Sequence, residues 1–125
     1  MNAHEVLRTY YTLANAGEWD RWCDLFTADT VMDEQLAGHI EGRETLRSMM
    51  QGFPDMYSAF ENKPLHFVVA GDGAQAAVVS RITARTAKGD LIEADVMNYF
   101  RIERGLIAYM SNFHDTKPFA PLTQG

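Results

Sequence analysis

LHFVVAGDGAQAAVVSRITARTAKGDLIEADVMNYFRIERGLIAYMSNFH, residues 65–114, is the stretch that decides the fold. Leu65 to Ala70 reads as a strand, and Gly71-Asp72-Gly73 as the turn that ends it. Ala76 to Thr86 is a second strand, rich in Val, Ile and Thr, closed by Lys88-Gly89-Asp90. Leu91 to Ile102 is a third, Glu103-Arg104-Gly105 its turn, and Leu106 to His114 the last before Pro118. Short glycine-bearing turns join these strands, which predicts an antiparallel meander.

Upstream the period changes from two to about three and a half. Val6, Leu7, Tyr10, Leu13 and Ala14 recur at helical spacing, and Gly17 stops that helix. A second short helix carries Trp19, Trp22, Leu25 and Phe26. Thr30-Val31-Met32-Asp33 reads as a short strand, and Leu36 to Glu41 as a loop or its partner strand. A third helix is predicted from Arg43 to Phe53, terminated by Pro54. Helices first and strands second is an α+β domain. A long antiparallel sheet carrying three helices on one face curls around them, and its concave side becomes a pocket for a ligand.

The totals narrow the function. The 125 residues suffice for one domain with a real core, 46% hydrophobic and 22% charged. A net charge of −6 argues against nucleic acid or an anionic membrane as the main partner. No run of about 18 apolar residues occurs, and the first residues lack a signal-peptide pattern, so the cytoplasm is the expected location. Cys23 is the only cysteine and reads as a small buried side chain. The four histidines lie far apart without ligand spacing, and no phosphate-binding or dinucleotide loop is present. Neither a metal nor an organic cofactor is expected.

The layout resembles the nuclear transport factor 2-like superfamily, the cone-shaped α+β fold, over roughly Val6 to Pro121. The residues that carry the likeness are Gly17-Glu18-Trp19-Asp20, Leu25-Phe26-Thr27-Ala28-Asp29, Gly42-Arg43 and the tail Asp115-Thr116-Lys117-Pro118-Phe119. It implies a curved, mixed, mostly antiparallel sheet with three N-terminal helices in its concave face. The superfamily includes ketosteroid isomerases and the SnoaL-type polyketide cyclases. Likeness to the isomerases sets Tyr10, seven residues before Gly17, as a helix-one donor. It sets Asp33 as the general base and Asn98, where those enzymes have a protonated aspartate, as the second donor to an enolate oxygen. Glu34 in place of a proline and His114 in place of an aromatic depart from the pattern and put a steroid substrate in doubt.

The implied chemistry is cofactor-free proton abstraction beside a carbonyl, by isomerisation or aldol-type cyclisation of a small apolar compound. A base buried in an apolar cavity has its pKa raised, and donors in a water-poor site hold the developing oxyanion. Each residue also has a plainer reading: Tyr10 as a core tyrosine, Asp33 as a turn cap, Asn98 as an amide that ties down backbone. Alternation puts Met110, Asn112 and His114 on one face, where His114 becomes a second candidate acid or base. Met49, Met50, Phe53 and Met56 are expected at the pocket mouth, with Val96, Met110 and Asn112 also lining it. Arg81 and Arg85 alternate with apolar residues and face water, a partner or the pocket.

The rival is a non-catalytic module that binds a small apolar ligand. Asp33 separates the two: inside the cavity with Asn98 it favours the enzyme, and facing solvent it favours the binding module. A third reading is an interaction protein that works through its outer sheet. Val78, Ile82, Met97 and Tyr99 are the candidates for that surface, and the resemblance implies a homodimer there. Light scattering is expected to give a dimer mass; a monomer at every concentration would contradict it.

Overall fold

The computed structural model describes residues 1–123. Two helices, α1 (Ala3–Asn15) and α2 (Trp19–Cys23), precede a hairpin of β1 (Phe26–Glu34) and β2 (Gly38–Glu41). Helices α3 (Arg43–Met50) and α4 (Phe53–Met56) follow. Then come four strands, β3 (Tyr57–Val69), β4 (Gln75–Thr86), β5 (Leu91–Glu103) and β6 (Leu106–Phe113), and a closing 3-10 helix at Lys117–Leu122. The strands form one curved sheet in the order β2-β1-β6-β5-β4-β3. All pairs are antiparallel except β1 with β6, so the sheet is mixed.

Helix α1 starts at Asn2, whose side chain accepts from the Glu5 amide at 2.9 Å. It buries Val6, Leu7, Tyr10, Tyr11, Leu13 and Ala14 against the sheet. Tyr10 meets Phe100 edge-on at 5.3 Å and Tyr11 meets Phe67 at 6.2 Å. In β4 and β5 every even-numbered residue except Ile82 is buried, so the face toward the helices is read directly from the period of two. No helix is long and apolar enough to cross a membrane among the described residues.

Three boundaries differ from the expectation. The third helix ends at Met50, and Pro54 stands in the first turn of α4 instead of ending a helix. Proline fits there because a first-turn N–H has no helical partner to lose. Strand β3 begins at Tyr57, eight residues before the expected Leu65. Pro64 hides this continuity, yet β3 is an edge strand and its register shifts between Pro64 and His66, the place where a strand tolerates proline. Strand β1 begins at Phe26, because α2 stops at Cys23 and does not extend to include Phe26. Its register against β6 shifts between Phe26 and Val31, and the buried Thr30 hydroxyl spans this shift with Ile107 and Ala108 carbonyls at 3.1 and 3.2 Å.

The outer edge of β3 is tied down by α1. Asn15 Nδ2 donates to the Asn62 carbonyl at 2.9 Å, and its Oδ1 accepts from the Asn62 amide at 2.7 Å. This reciprocal pair satisfies the backbone N–H and C=O of Asn62, the one buried residue of this edge strand. Asn15→Ala removes both bonds and is expected to cost ~1 kcal/mol or more in urea unfolding. A change under ~0.5 kcal/mol would contradict that role.

Candidate functional site

A cavity of about 440 Å³ lies between the concave face of the sheet and the helices. Its size suits a small organic molecule. Trp19, Phe53, Tyr57 and Phe60 form one aromatic wall, with Trp19 and Phe53 centroids 4.5 Å apart and Phe53 and Phe60 5.0 Å apart. The seven residues expected around a ligand, Met49, Met50, Phe53 and Met56 with Val96, Met110 and Asn112, all line it. Met49 and Met56 are exposed, as residues at a rim are.

Asp33 is not in this cavity. In β1, Phe26, Thr30 and Met32 are buried against the helices, so the pleat turns Val31 and Asp33 to the opposite face. The side chain of Asp33 is 46% exposed. Tyr109 Oη donates to its Oδ2 at 2.6 Å, and His39 Nδ1 lies 2.6 Å from its Oδ1. These two bonds hold its carboxyl below the usual carboxylate value, the reverse of the raised pKa expected of a buried base. Glu34 takes the inward place instead, in phase with Met32. That parity was legible in Thr30-Val31-Met32-Asp33-Glu34, where Met32 marks the apolar face.

Glu34 is firmly held. Oε1 accepts from Asn112 Nδ2 at 3.2 Å, and Oε2 accepts from the backbone amides of Leu36 and Ala37 in the β1–β2 turn. Asn112 Oδ1 in turn accepts from the Gln35 amide at 2.9 Å. Opposite stands His114, whose side chain is 2% exposed, with Nε2 4.0 Å from Glu34 Oε1. Its ring lies 4.8 Å from that of Phe119. His114 Nδ1 is 2.8 Å from the Asp115 carbonyl, which can only accept, so Nδ1 carries a proton and, in the neutral ring, Nε2 has the lone pair.

Tyr10 lines the cavity, and among the described residues its hydroxyl has only the Met110 thioether, at 3.5 Å, as partner. Burial holds its pKa well above the ordinary value, with Tyr11 and the Glu34 charge adding to the shift, so it remains a neutral donor. Asn98 also lines the cavity but is not a donor to it. Its Nδ2 faces the Val78 carbonyl at 3.2 Å, Ser80 Oγ at 3.0 Å and Tyr11 Oη at 3.1 Å, so both amide hydrogens are committed within the core. Asn98 therefore ties down backbone, as its plainer reading had it. Cys23 is fully buried, and burial pushes its thiol up to about 11.

The outer face gathers the rest. Arg81 pairs with Asp95 at 2.8 Å, and Arg85 donates to the Gly89 carbonyl at 3.1 Å, so neither faces the cavity. Of the four residues expected on this surface, Met97 and Tyr99 are there, whereas Val78 is fully buried and Ile82 lines the cavity. Val78 and Ile82 sit at even positions of β4 and Met97 and Tyr99 at odd positions of β5, which the register places on opposite faces. His39 bridges Asp33 and Glu41, its Nε2 being 3.0 Å from Glu41 Oε1, and these carboxylates raise its pKa above 6.5, Glu41 first. The stability this contributes is full below the unfolded value and is lost as pH rises through the higher folded one. Nuclear magnetic resonance is expected to find the His39 midpoint above 6.5 and to see it fall in Glu41→Gln. An unchanged midpoint would contradict the bridge.

Comparison with known proteins agrees with the geometry. Among functionally curated proteins, none matches the chain. A nuclear transport factor 2-like protein of unknown function from Burkholderia pseudomallei superposes with a TM-score of 0.88 at 14% identity, covering 100% of this chain and 99% of that one. A candidate polyketide cyclase from Pseudomonas putida gives 0.85 at 19% identity, with 98% of each chain covered. SalBIII, an epoxide hydrolase/cyclase-like enzyme with a role in pyran ring formation in the polyether salinomycin, gives 0.80 at 18%, covering 93% and 92%. At these identities the likeness is one of fold. The SnoaL-like domain matches residues 7–110, most of the chain, and the chain belongs to the SnoaL-like domain family.

Proposed function

We propose that the protein binds a small apolar molecule in the cavity between helices and sheet. The observation that carries this is the cavity itself: about 440 Å³, walled by aromatic and methionine side chains, with few polar groups, of which Glu34, Asn112 and His114 lie together. The outward turn of Asp33 removes the isomerase-like base and favours binding over the chemistry first expected.

A specific observation supports a second, catalytic reading of the same cavity. His114 Nε2 carries a lone pair in a buried position, with the Glu34 carboxylate 4.0 Å away to stabilise the imidazolium once a proton arrives. Beside a carbonyl, the C–H bond would break and an N–H bond form at Nε2. The electron pair would pass to the carbonyl oxygen, where the Tyr10 hydroxyl donates. Return of the proton to another carbon gives isomerisation, and attack of the enolate carbon on a second carbonyl gives cyclisation. The epoxide hydrolase/cyclase-like neighbour and the candidate polyketide cyclase support this class of reaction.

Titration with small cyclic ketones in deuterated water tests both readings. Binding is expected, with exchange at the carbon next to the carbonyl. His114→Gln is expected to slow exchange ~100-fold or more, Tyr10→Phe ~10-fold or more, and Asp33→Asn hardly at all. Binding without exchange would leave the first reading and remove the second, and exchange that depends on Asp33 would contradict the assignment.

A further inference from the structure

We propose that the Glu34–His114 end of the cavity recognises an amine: the ligand is an apolar molecule that carries a primary ammonium group. This rests on the reading of the cavity as a ligand site; an ammonium held there occupies the His114 Nε2 lone pair, so the proposal goes with binding and not with the proton-transfer step.

The first observation is a pair of acceptors facing one another. Glu34 Oε2 already accepts two backbone amides, but among the described residues Oε1 accepts only from Asn112 and keeps one acceptor position. Across 4.0 Å is His114 Nε2, the acceptor nitrogen of the neutral ring because Nδ1 donates to the Asp115 carbonyl. Two lone pairs at that separation are bridged by one atom that donates two hydrogens, which an ammonium does and an ether, ester or ketone cannot. The side chain of Glu34 is 21% exposed and that of His114 only 2%, so a bridging cation would be largely out of water, where charge-assisted bonds are strongest.

The second observation is the sign of the cavity. No Lys or Arg lines it among the described residues, and Glu34 is its one acidic side chain. Burial raises the pKa values of the Tyr10 and Tyr57 hydroxyls, that of Tyr57 to about 12, and the Glu34 charge adds a smaller part to both. An anionic ligand would meet this field without a counter-charge, whereas a cation is stabilised by it.

Three probes of one shape decide the matter by calorimetry: 2-phenylethylamine, 2-phenylethanol and 3-phenylpropanoate near neutral pH. The amine is expected to bind about tenfold or more tightly than the alcohol, and the carboxylate most weakly. Glu34→Gln is expected to reduce the amine to the level of the alcohol. Asp33→Asn, which removes a carboxylate from the outer face, is expected to leave the ratio unchanged. Equal binding of amine and alcohol, or an amine preference that survives in Glu34→Gln, would overturn the proposal while leaving the cavity a ligand site. The order of the three probes on the unaltered protein is decisive even if Glu34→Gln does not fold. Failure of all three to bind would overturn the proposal and the pocket reading together.

Discussion

The pleat of the strands is the constraint on which the rest of the structure depends. Successive side chains on a strand point to opposite sides of the sheet. Because one side of this sheet is buried under helices and the other is open, each residue's parity decides whether it meets ligand or water. In β1 that rule separates two adjacent carboxylates. Glu34 follows Met32 into the cavity, and Asp33 follows Val31 out of it. The peptide bond between them separates two chemistries: a carboxylate paired with a buried imidazole, and a half-exposed carboxylate tied to Tyr109 and His39.

Curvature then makes the space. Helix α1 presses Tyr10, Tyr11, Leu7 and Val6 into one end of the concave face, and Asn98, Ser80 and the Tyr11 hydroxyl form a buried polar knot between helix and sheet. That knot uses up the Asn98 amide, which becomes part of the scaffold. The remaining concave surface is closed at its rim by α3, α4, the β1–β2 turn and the 3-10 helix, which supply the methionines, Leu36 and Phe119 around the opening. The turn also donates two backbone amides to Glu34, so the rim and the polar group it surrounds are one piece of structure.

Much of this was legible in the sequence. The glycine turns gave the meander, and Met110, Asn112 and His114 were placed together by alternation alone, whereas Val78 and Ile82, even positions of β4, were set on the outer sheet although one is buried and the other lines the cavity. The misplacements came where alternation was not applied or was interrupted. Asp33 was set by likeness to a family position, although Met32 beside it marks which residues of that strand turn inward. Tyr57 to Pro64 carries no clean two-residue pattern, because an edge strand with a shifted register tolerates Pro64 and polar residues on both sides. The commitment of Asn98 to Val78, Ser80 and Tyr11 depends on three elements meeting, which no local pattern reports. Nor does any local pattern bring Glu34 to His114, eighty positions later, since that pairing follows from β1 lying parallel to β6.

The central claim is that ligand enters the face of the sheet occupied by Glu34 and His114, not the one occupied by Asp33 and His39. Imidazole nitrogen chemical shifts, followed by nuclear magnetic resonance as a small apolar ketone is added, test it most directly. The account predicts that the His114 signals move with saturation while those of His39 stay in place. Movement of His39 with His114 unaffected would contradict it.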